Sequence, residues 1–439
     1  MITNDYNQGK KIEASELNDL KAISDVIISE IALEDHTNLL VFPDSFEHYD
    51  KDFGKKVICI ISNDEGKLYT NSIVGFVGRN KTCLSIHSRF TKDEDDDFFL
   101  HYMLQKVAKI NLFHLQHTLN KDSVFDFLLY LFPFYLKKAL YQGLYKQYVS
   151  HKYNDARVRG AIEVNRHIRF NEPFNGKVAY TTREYSFDNH ITQLIRHTLE
   201  YIAIQDGGKV ILSTDQETKE AVAQIRSATP SYLSIDRQTV INKNLRPIAH
   251  PFYSEYTPLQ RLCIQILRHE EIKYGQEENE IYGVLIDAAW LWEEYLASVI
   301  KEKYHHCYKN QKPKYYVFEG GRQQIVPDFL SIDKTIVADA KYIPLNIGNS
   351  YDEERATAIY YKTITYMYRF CSKTGFLLYP HKEIDTTPNI ISYTIESETA
   401  GVNGGTIKKV GLKIPMGCKD FADFTIRMNG YEDEFKNRI

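Results

Sequence analysis

Residues 325–342 read Ile-Val-Pro-Asp-Phe-Leu-Ser-Ile-Asp-Lys-Thr-Ile-Val-Ala-Asp-Ala-Lys-Tyr, and the fold of the chain can be worked out from this stretch. Two short runs rich in β-branched and aromatic residues flank Asp333-Lys334, a pattern typical of two strands joined by a tight turn. In a two-residue hairpin, the pairing places Asp328 directly opposite Asp339 on one face. The stretch therefore predicts two carboxylates that face each other across a pair of strands.

Facing carboxylates indicate a specific chemistry. Directly opposed side chains have Cβ atoms about 5 Å apart, and like charges at that separation are destabilising. A cation between Asp328 and Asp339 would remove the cost, and carboxylate oxygens are ligands that Mg²⁺ accepts. The two-residue period of a strand puts Lys341 on the same face as Asp339. Two carboxylates beside a lysine predict metal-assisted hydrolysis of phosphodiesters; the alternative is a surface hairpin with ordinary charges.

Length and composition indicate an ordinary globular protein. The chain has 439 residues, of which 43% are hydrophobic and 26% charged, so we expect two or three domains with ample core. The formal net charge is −4, which is not that of a protein that binds nucleic acid through its overall field. A nuclease of this composition would have to bind DNA through a local basic surface or through a partner.

Neither cysteines nor apolar runs change this interpretation. The six cysteines are scattered without a CxxC pair, which argues against a zinc ribbon or a disulfide framework. His305-His306-Cys307 resembles a set of ligands, but sequence neighbours rarely converge on one metal. Residues 1–11 are polar and do not resemble a signal peptide, and the apolar run at 124–136 is too short and too interrupted to span a membrane. We expect a cytoplasmic protein without a membrane anchor.

The chain divides into three predicted regions, at 1–150, 151–250 and 251–439. The middle region contains a basic cluster that fits either phosphates, an acidic partner or a solvated face. Its members are Arg157, Arg159, Arg166, His167, Arg169 and Lys177. The chain contains no GxxxxGK[ST] loop, so it should not hydrolyse nucleotides by itself.

The third region has the element order of a known nuclease fold. The predicted elements are helices at 259–272, 282–303 and 354–370, strands at 315–318 and 375–379 around the opening hairpin, and edge strands at 390–395 and 406–414. Pro327-Asp328 followed by Asp339-Ala340-Lys341 resembles the PD-(D/E)xK nuclease motif. The predicted fold class is α/β, with a C-terminal PD-(D/E)xK domain, a mixed sheet flanked by helices, preceded by mixed α/β N-terminal and middle regions.

Further segments resemble the McrC family, the nuclease subunits of modification-dependent (5-methylcytosine) McrBC restriction systems. They are 74–77 with 84–89, 158–164 with 183–188, and the Asp-Ala-Ala-Trp-Leu-Trp-Glu-Glu-Tyr run at 287–295. The resemblance extends from about residue 70 to 380. Only the nuclease motif is sharp, and Ser88-Arg89 replaces the Pro-Lys of the family.

This resemblance implies a division of labour. An McrB-like AAA+ GTPase hexamer would recognise and translocate double-stranded modified DNA, while this chain stimulates GTP hydrolysis and cuts. Residues 1–150 would then bind the partner, 151–250 would form a basic linker or partner contact, and 251–439 would be the endonuclease domain.

The residues predicted to form the site are few. Asp328, Asp339 and the Ala340 carbonyl are expected to bind Mg²⁺, with Mn²⁺ as the other option, because an all-oxygen ligand set disfavours Zn²⁺. Glu293 is expected to add a ligand directly or through water, unless it is an ordinary surface glutamate. Lys341 is expected to stabilise charge on the phosphate and to help deprotonate the attacking water. The role of Lys362 stays open.

Two other functions remain possible at this stage. One is a non-cleaving assembly factor that activates a partner NTPase, against which the intact acidic residues and lysine argue. The other is a stand-alone DNA repair nuclease, against which the long region before residue 251 argues.

Overall fold

The computed structural model describes residues 1–24, 27, 39–42, 57–62, 65–80, 82–91, 97–108, 123–205, 207–268, 281–307, 312–343, 350–385, 390–395 and 404–439. The chain forms two compact units, one of residues 1–124 with 271–439 and the other of residues 125–270. This division differs from the three regions expected from the sequence, since the first and last parts of the chain share one unit.

The described elements are mixed α and β, and we number them in chain order. The strands of the first unit are β1 Ile2–Asn4, β2 Lys10–Lys11, β3 Leu39–Phe42, β4 Cys59–Ser62, β5 Lys67–Thr70, β6 Ile73–Arg79, β7 Thr82–His87, β11 Ile281–Asp287, β12 Tyr304–His306, β13 Tyr315–Phe318, β14 Arg322–Ile325, β15 Phe329–Ser331, β16 Ile336–Ala340, β17 Thr374–Lys382, β18 Ile390–Thr394 and β19 Thr406–Ile414. Its helices are α1 Leu17–Ile23, α2 Phe98–Ala108, α10 Ala288–Ile300, α11 Ser350–Arg369 and α12 Phe421–Lys436.

The second unit contains strands β8 Gln147–Asp155, β9 Ala161–Ile162 and β10 Val178–Ser186. Its helices are α3 Ser123–Tyr141, which begins just before the unit, α4 Val164–Asn171, α5 His190–Ile204, α6 Gly208–Ile211, α7 Gln216–Ala228, α8 Arg237–Lys243 and α9 Tyr256–Leu267. Within the chain as described, no helix is both long enough and apolar enough to cross a membrane.

A five-stranded sheet explains why the chain ends share a unit. Its order is β1-β7-β6-β11-β3, so β11 lies between two strands from the N-terminal region. Gly75 and Gly283 permit the close approach, because a Cβ at Gly75 would lie 2.1 Å from the Val284 carbonyl oxygen. The predicted helix at 282–303 was therefore wrong in its first part, since residues 281–287 form β11 and Asp287 caps α10 by accepting a hydrogen bond from the Ala289 amide.

The six-stranded sheet positions the predicted hairpin. Its order is β12-β15-β16-β17-β19-β18, with β17 parallel to both of its neighbours. The strand expected at 315–318 beside the hairpin is β13, but it pairs with β14 in a separate ribbon, and β12 takes the place beside β15. The expected edge position is confirmed for β18, but β19 lies inside the sheet.

The second unit contains the basic cluster. Strands β8 and β10 pair antiparallel over nine residues each, and α4 follows β9. Part of the cluster is structural, because the Arg166 guanidinium donates to the backbone carbonyls of Tyr153 and Tyr180 at 2.6 and 2.7 Å. The remaining basic residues of the cluster are half-buried or exposed.

Candidate active site

The hairpin of β15 and β16 has the predicted register. Phe329 lies opposite Ala338 and Leu330 opposite Val337, which continues outward to Asp328 opposite Asp339. The Ala340 amide donates to Asp328 Oδ2 at 2.7 Å. The two carboxylates therefore meet at one end of this strand pair, as the sequence predicts.

The turn is wider than predicted. The Lys334 amide donates to the Ser331 carbonyl at 2.8 Å, and β16 begins only at Ile336. Lys334 has a φ of +60°, in the left-handed region that few non-glycine residues adopt. The Asp333 carboxylate stabilises this turn by accepting hydrogen bonds from Ser331 and Thr335.

Asp339 is a buried, charged carboxylate. Its residue is 1% exposed, and its strand lies between two others in the sheet. The Lys341 ammonium forms an ion pair with Asp339 Oδ2, and Lys362 Nζ lies 3.7 Å from Oδ1. Burial alone would raise the pKa of Asp339, but the positive charges of Lys341 and Lys362 outweigh it and hold that pKa well below its ordinary value.

Asp328 shows the opposite shift. Burial raises its pKa well above the ordinary value, and the negative charges of Asp339 and Glu293 raise it further. Protonation of Asp328 therefore lowers the electrostatic repulsion between the two carboxyl groups. A divalent cation bound to both would remove this repulsion, so the donor set of Asp328 and Asp339 fits a hard cation.

Glu293 lies near the carboxylate pair and contacts His306. Its Oε1 lies 2.7 Å from His306 Nε2, and the His306 ring packs against Phe329 with centroids 5.1 Å apart. Among the residues described, no three His, Cys, Asp or Glu side chains are placed to hold a metal ion. The negative charge of Glu293 helps to raise the pKa of Asp328.

Helix α11 contributes residues whose roles the sequence left open. Besides the contact of Lys362 with Asp339, the Tyr366 hydroxyl donates to the Val326 carbonyl at 2.9 Å. The nearby carboxylates raise the pKa of Lys362, with Asp339 the larger cause. Tyr366 thus fixes the backbone just before Pro327-Asp328, while Lys362 balances the charge of Asp339.

An ionic cluster lies next to Tyr342, the residue after Lys341, and the sequence did not predict it. The Arg89 guanidinium forms an ion pair with Asp5 at 2.5 Å and lies 4.2 Å from the centre of the Tyr342 ring. Tyr342 follows Lys341 directly, and the Lys341 amide donates to the Leu378 carbonyl at 2.7 Å. The cluster therefore anchors the chain at the residue after the site lysine. The Ser88-Arg89 pair noted in the sequence was the one available signal.

Asp97 belongs to the same ionic cluster as Asp5 and Arg89. Its Oδ2 accepts a hydrogen bond from the Ser88 amide at 2.8 Å, and His87 Nδ1 lies 3.8 Å away. Burial raises the pKa of Asp97 to about 7 and lowers that of His101 to about 4. Both groups therefore favour their neutral forms in this environment.

Comparisons with known proteins place the chain in a family. No curated protein is significantly similar to it. A refined half-complex of Thermococcus gammatolerans McrB AAA+ hexamers with bound McrC matches at 16% identity over 100% of both chains, with a TM-score of 0.47. The cryo-EM structure of the Thermococcus gammatolerans McrBC complex matches at 15% identity over 70% of this chain and 89% of that chain, with a TM-score of 0.34. The family model of the McrBC 5-methylcytosine restriction system component matches residues 68–380, well over half of the sequence, and the chain therefore belongs to that family.

Proposed function

We propose that this chain is the metal-dependent endonuclease subunit of a restriction complex that cleaves modified DNA. The observation that carries the proposal is the convergence of Asp328, Asp339 and Lys341 at one end of the β15–β16 pair. Membership of the McrBC family supplies the biological setting. The sequence order Pro-Asp, then Asp-Ala-Lys, supports the assignment of the C-terminal region to the PD-(D/E)xK nucleases.

The residues have distinct roles in this proposal. Asp328, Asp339 and the Ala340 carbonyl would hold Mg²⁺ or Mn²⁺, and such an ion, when bound, would neutralise negative charge on the phosphate. Glu293, which contacts His306, would add a ligand directly or through water. Lys341 would donate a hydrogen bond to the phosphate as charge develops there and would assist proton removal from the attacking water.

The orientation of Lys341 supports this role. Its ammonium contacts Asp339 and also donates to the Ala340 carbonyl at 3.1 Å, so it is held beside the carboxylate pair. A group fixed in advance at the reacting centre pays little reorganisation cost during the reaction. If Asp339 held a metal ion, the Lys341 ammonium would be free to contact the substrate phosphate.

We propose further that the chain acts with a ring-forming AAA+ GTPase on double-stranded modified DNA. The Thermococcus gammatolerans McrC is bound to McrB AAA+ hexamers, and the sequence here has no nucleotide-binding loop of its own. In this proposal the regions at 1–150 and 151–250 contact the partner, and 251–439 carries the nuclease residues. With 54 basic against 58 acidic residues, the chain alone should be a poor nuclease.

The decisive experiment compares two matched substitutions in one hairpin. Asp339→Asn should abolish cleavage of a 5-methylcytosine plasmid in the presence of Mg²⁺, the AAA+ partner and GTP. Asp333→Asn removes the same charge from the exposed turn and should cut like the wild type. Divalent ion should also raise the melting temperature of the wild type more than that of Asp339→Asn.

The outcomes separate the candidate functions. Normal cleavage by Asp339→Asn would overturn the nuclease assignment. A wild type that stimulates GTP hydrolysis but never cuts would be a non-cleaving activator. Rapid double-strand cutting by the chain alone at physiological salt would identify a stand-alone nuclease.

A further inference from the structure

A cavity lies beside the candidate active site, between the end of β12, the β13–β14 ribbon and the turn of the hairpin. Its volume is about 240 Å³. The lining residues are His305, Cys307, Lys312, Pro313, Lys314, Tyr315, Gln324, Ile325, Val326, Leu330 and Lys334. The lining thus includes residues that precede Asp328 in the chain and residues that follow it.

The lining is basic in a chain whose overall charge is negative. Lys312, Lys314 and Lys334 contribute three ammonium groups, and none of the described residues that line the cavity is Asp or Glu. None of these three lysines forms an ion pair with a carboxylate within the described chain, although Lys334 Nζ lies 5.9 Å from the centre of the Tyr315 ring. Three cations with no carboxylate partner attract an anion.

The backbone geometry of the turn supports this role for Lys334. Lys334 adopts the left-handed conformation in the turn, and its ammonium lies near β13, 5.9 Å from the centre of the Tyr315 ring.

The cavity and the carboxylate pair share a wall. The Cys307 amide donates to the Asp328 carbonyl at 3.0 Å, and Val326 is separated from Asp328 only by Pro327. An anion in the cavity would therefore lie next to the segment that carries Asp328.

We propose that this cavity binds a backbone phosphate of the DNA strand that is cut, next to the phosphate at Asp328 and Asp339. The inference rests on the proposed nuclease function and adds a strand-binding site to it. Its volume lies below the roughly 300–1,000 Å³ of sites for drug-sized molecules, so it suits a phosphate and part of its sugar better than a whole nucleotide. Lysine ammonium groups bind phosphate as point charges without reading the base, as a non-specific strand contact requires.

Salt dependence tests the proposal quantitatively. The pocket variant replaces Lys312, Lys314 and Lys334 by Gln; the control variant replaces the exposed Lys21, Lys373 and Lys419 of the same unit, with the same charge change. Binding of a labelled DNA duplex is measured by fluorescence anisotropy without divalent ions, over a range of KCl concentrations. Each phosphate contact adds about 0.9 to the slope of log affinity against log salt, so the pocket variant should lose about 1 and the control variant nothing.

Lysine footprinting on the wild type provides a second measurement that needs no substitution. Acetylation of Lys312, Lys314 and Lys334, followed by mass spectrometry, should slow when DNA is added, while Lys373 and Lys419 stay reactive. Protection by inorganic phosphate or GTP but not by DNA would overturn the strand assignment in favour of a free-anion site. Equal salt slopes for the two triple variants, with wild-type binding intact, would overturn it as well. Absence of both DNA binding and cleavage by the wild type complex would instead refute the proposed function on which it rests.

Discussion

Two pairs of carboxylates lie in the same unit, and they differ in how their charge is balanced. Asp328 and Asp339 meet two lysines, one of which, Lys362, has a side chain that is 47% exposed. Asp5 and the neighbouring Asp97 instead share a cluster with Arg89, whose side chain is 11% exposed. The first pair is balanced by cations that solvent can reach, and the second by a cation enclosed among aromatic rings.

The protonation of the two pairs follows from this difference. Burial raises the pKa values of both Asp5 and Asp97, and Arg89 offsets it only in part for Asp5. At the first pair, the two lysines reverse the effect of burial for Asp339. A carboxylate kept ionised beside displaceable cations can accept a metal ion, whereas a carboxylate that is neutral or held in a buried ion pair is less available to one.

The largest effect is expected at Arg89. Arg89→Met would leave the buried Asp5 without its cation, which typically costs about 3–5 kcal/mol of unfolding free energy. Arg427→Met, at the more exposed ion pair with Glu383, should cost less than about 1 kcal/mol. Urea unfolding of both variants gives the comparison. Adding Asp5→Asn to Arg89→Met should restore part of the stability; if it does not, the two groups are not a functional pair.

Loss of the site lysine should act on rate rather than on stability. Lys341→Met is expected to lower the single-turnover cleavage rate about 10³-fold, or about 4 kcal/mol, because the lysine acts on charge in the transition state. DNA affinity and assembly with the partner should stay close to those of the wild type. A variant that cuts at the normal rate but fails to assemble would assign Lys341 to assembly instead.

Asp97 should determine part of the pH dependence of stability. The pKa of Asp97 in the folded protein is raised from an ordinary 3.8 to about 7. Its contribution to the free energy of unfolding is therefore fully present below pH 3.8 and is lost as the pH rises through about 7. Asp97→Asn keeps an acceptor for the Ser88 amide and should remove this loss, which amounts to about 3 kcal/mol or less. Unfolding free energies at pH 5 and pH 8 measure it. An equal pH slope in wild type and variant would show that Asp97 does not titrate in this range.

The smallest effect is expected at Lys362. Its ammonium is 3.7 Å from Asp339 and half exposed, so Lys362→Met should change the unfolding free energy by less than about 1 kcal/mol. We expect the cleavage rate to fall only a few fold, because Lys341 still balances Asp339. A loss as large as that of Lys341→Met would make the two lysines equal partners in the site.

Local patterns predicted the site better than the fold. The hairpin register and the position of Lys341 follow from short-range periodicity, and both agree with the structure. The Arg89 cluster joins residues far apart in the chain, and no local pattern indicates such a contact. Residues 281–287 precede a helix without a break in hydrophobicity, so the strand was missed. The conformation of β11 depends on pairing with β3 and β6, which lie far from it in the sequence.

The central position of β11 has a consequence for synthesis of the protein. Strands β3 and β6 leave the ribosome about 200 residues before the strand that joins them, a delay of roughly 10–40 s at 5–20 residues per second. During that interval the edges of β3 and β6 that will pair with β11 have no partner strand, and unpaired edges are prone to pair wrongly with other chains. The intervening residues 125–270 can form their own unit meanwhile. A nascent chain that stops before residue 281 therefore lacks both the completed sheet and the residues of the candidate site, so truncated products should not cleave DNA if the proposed function holds.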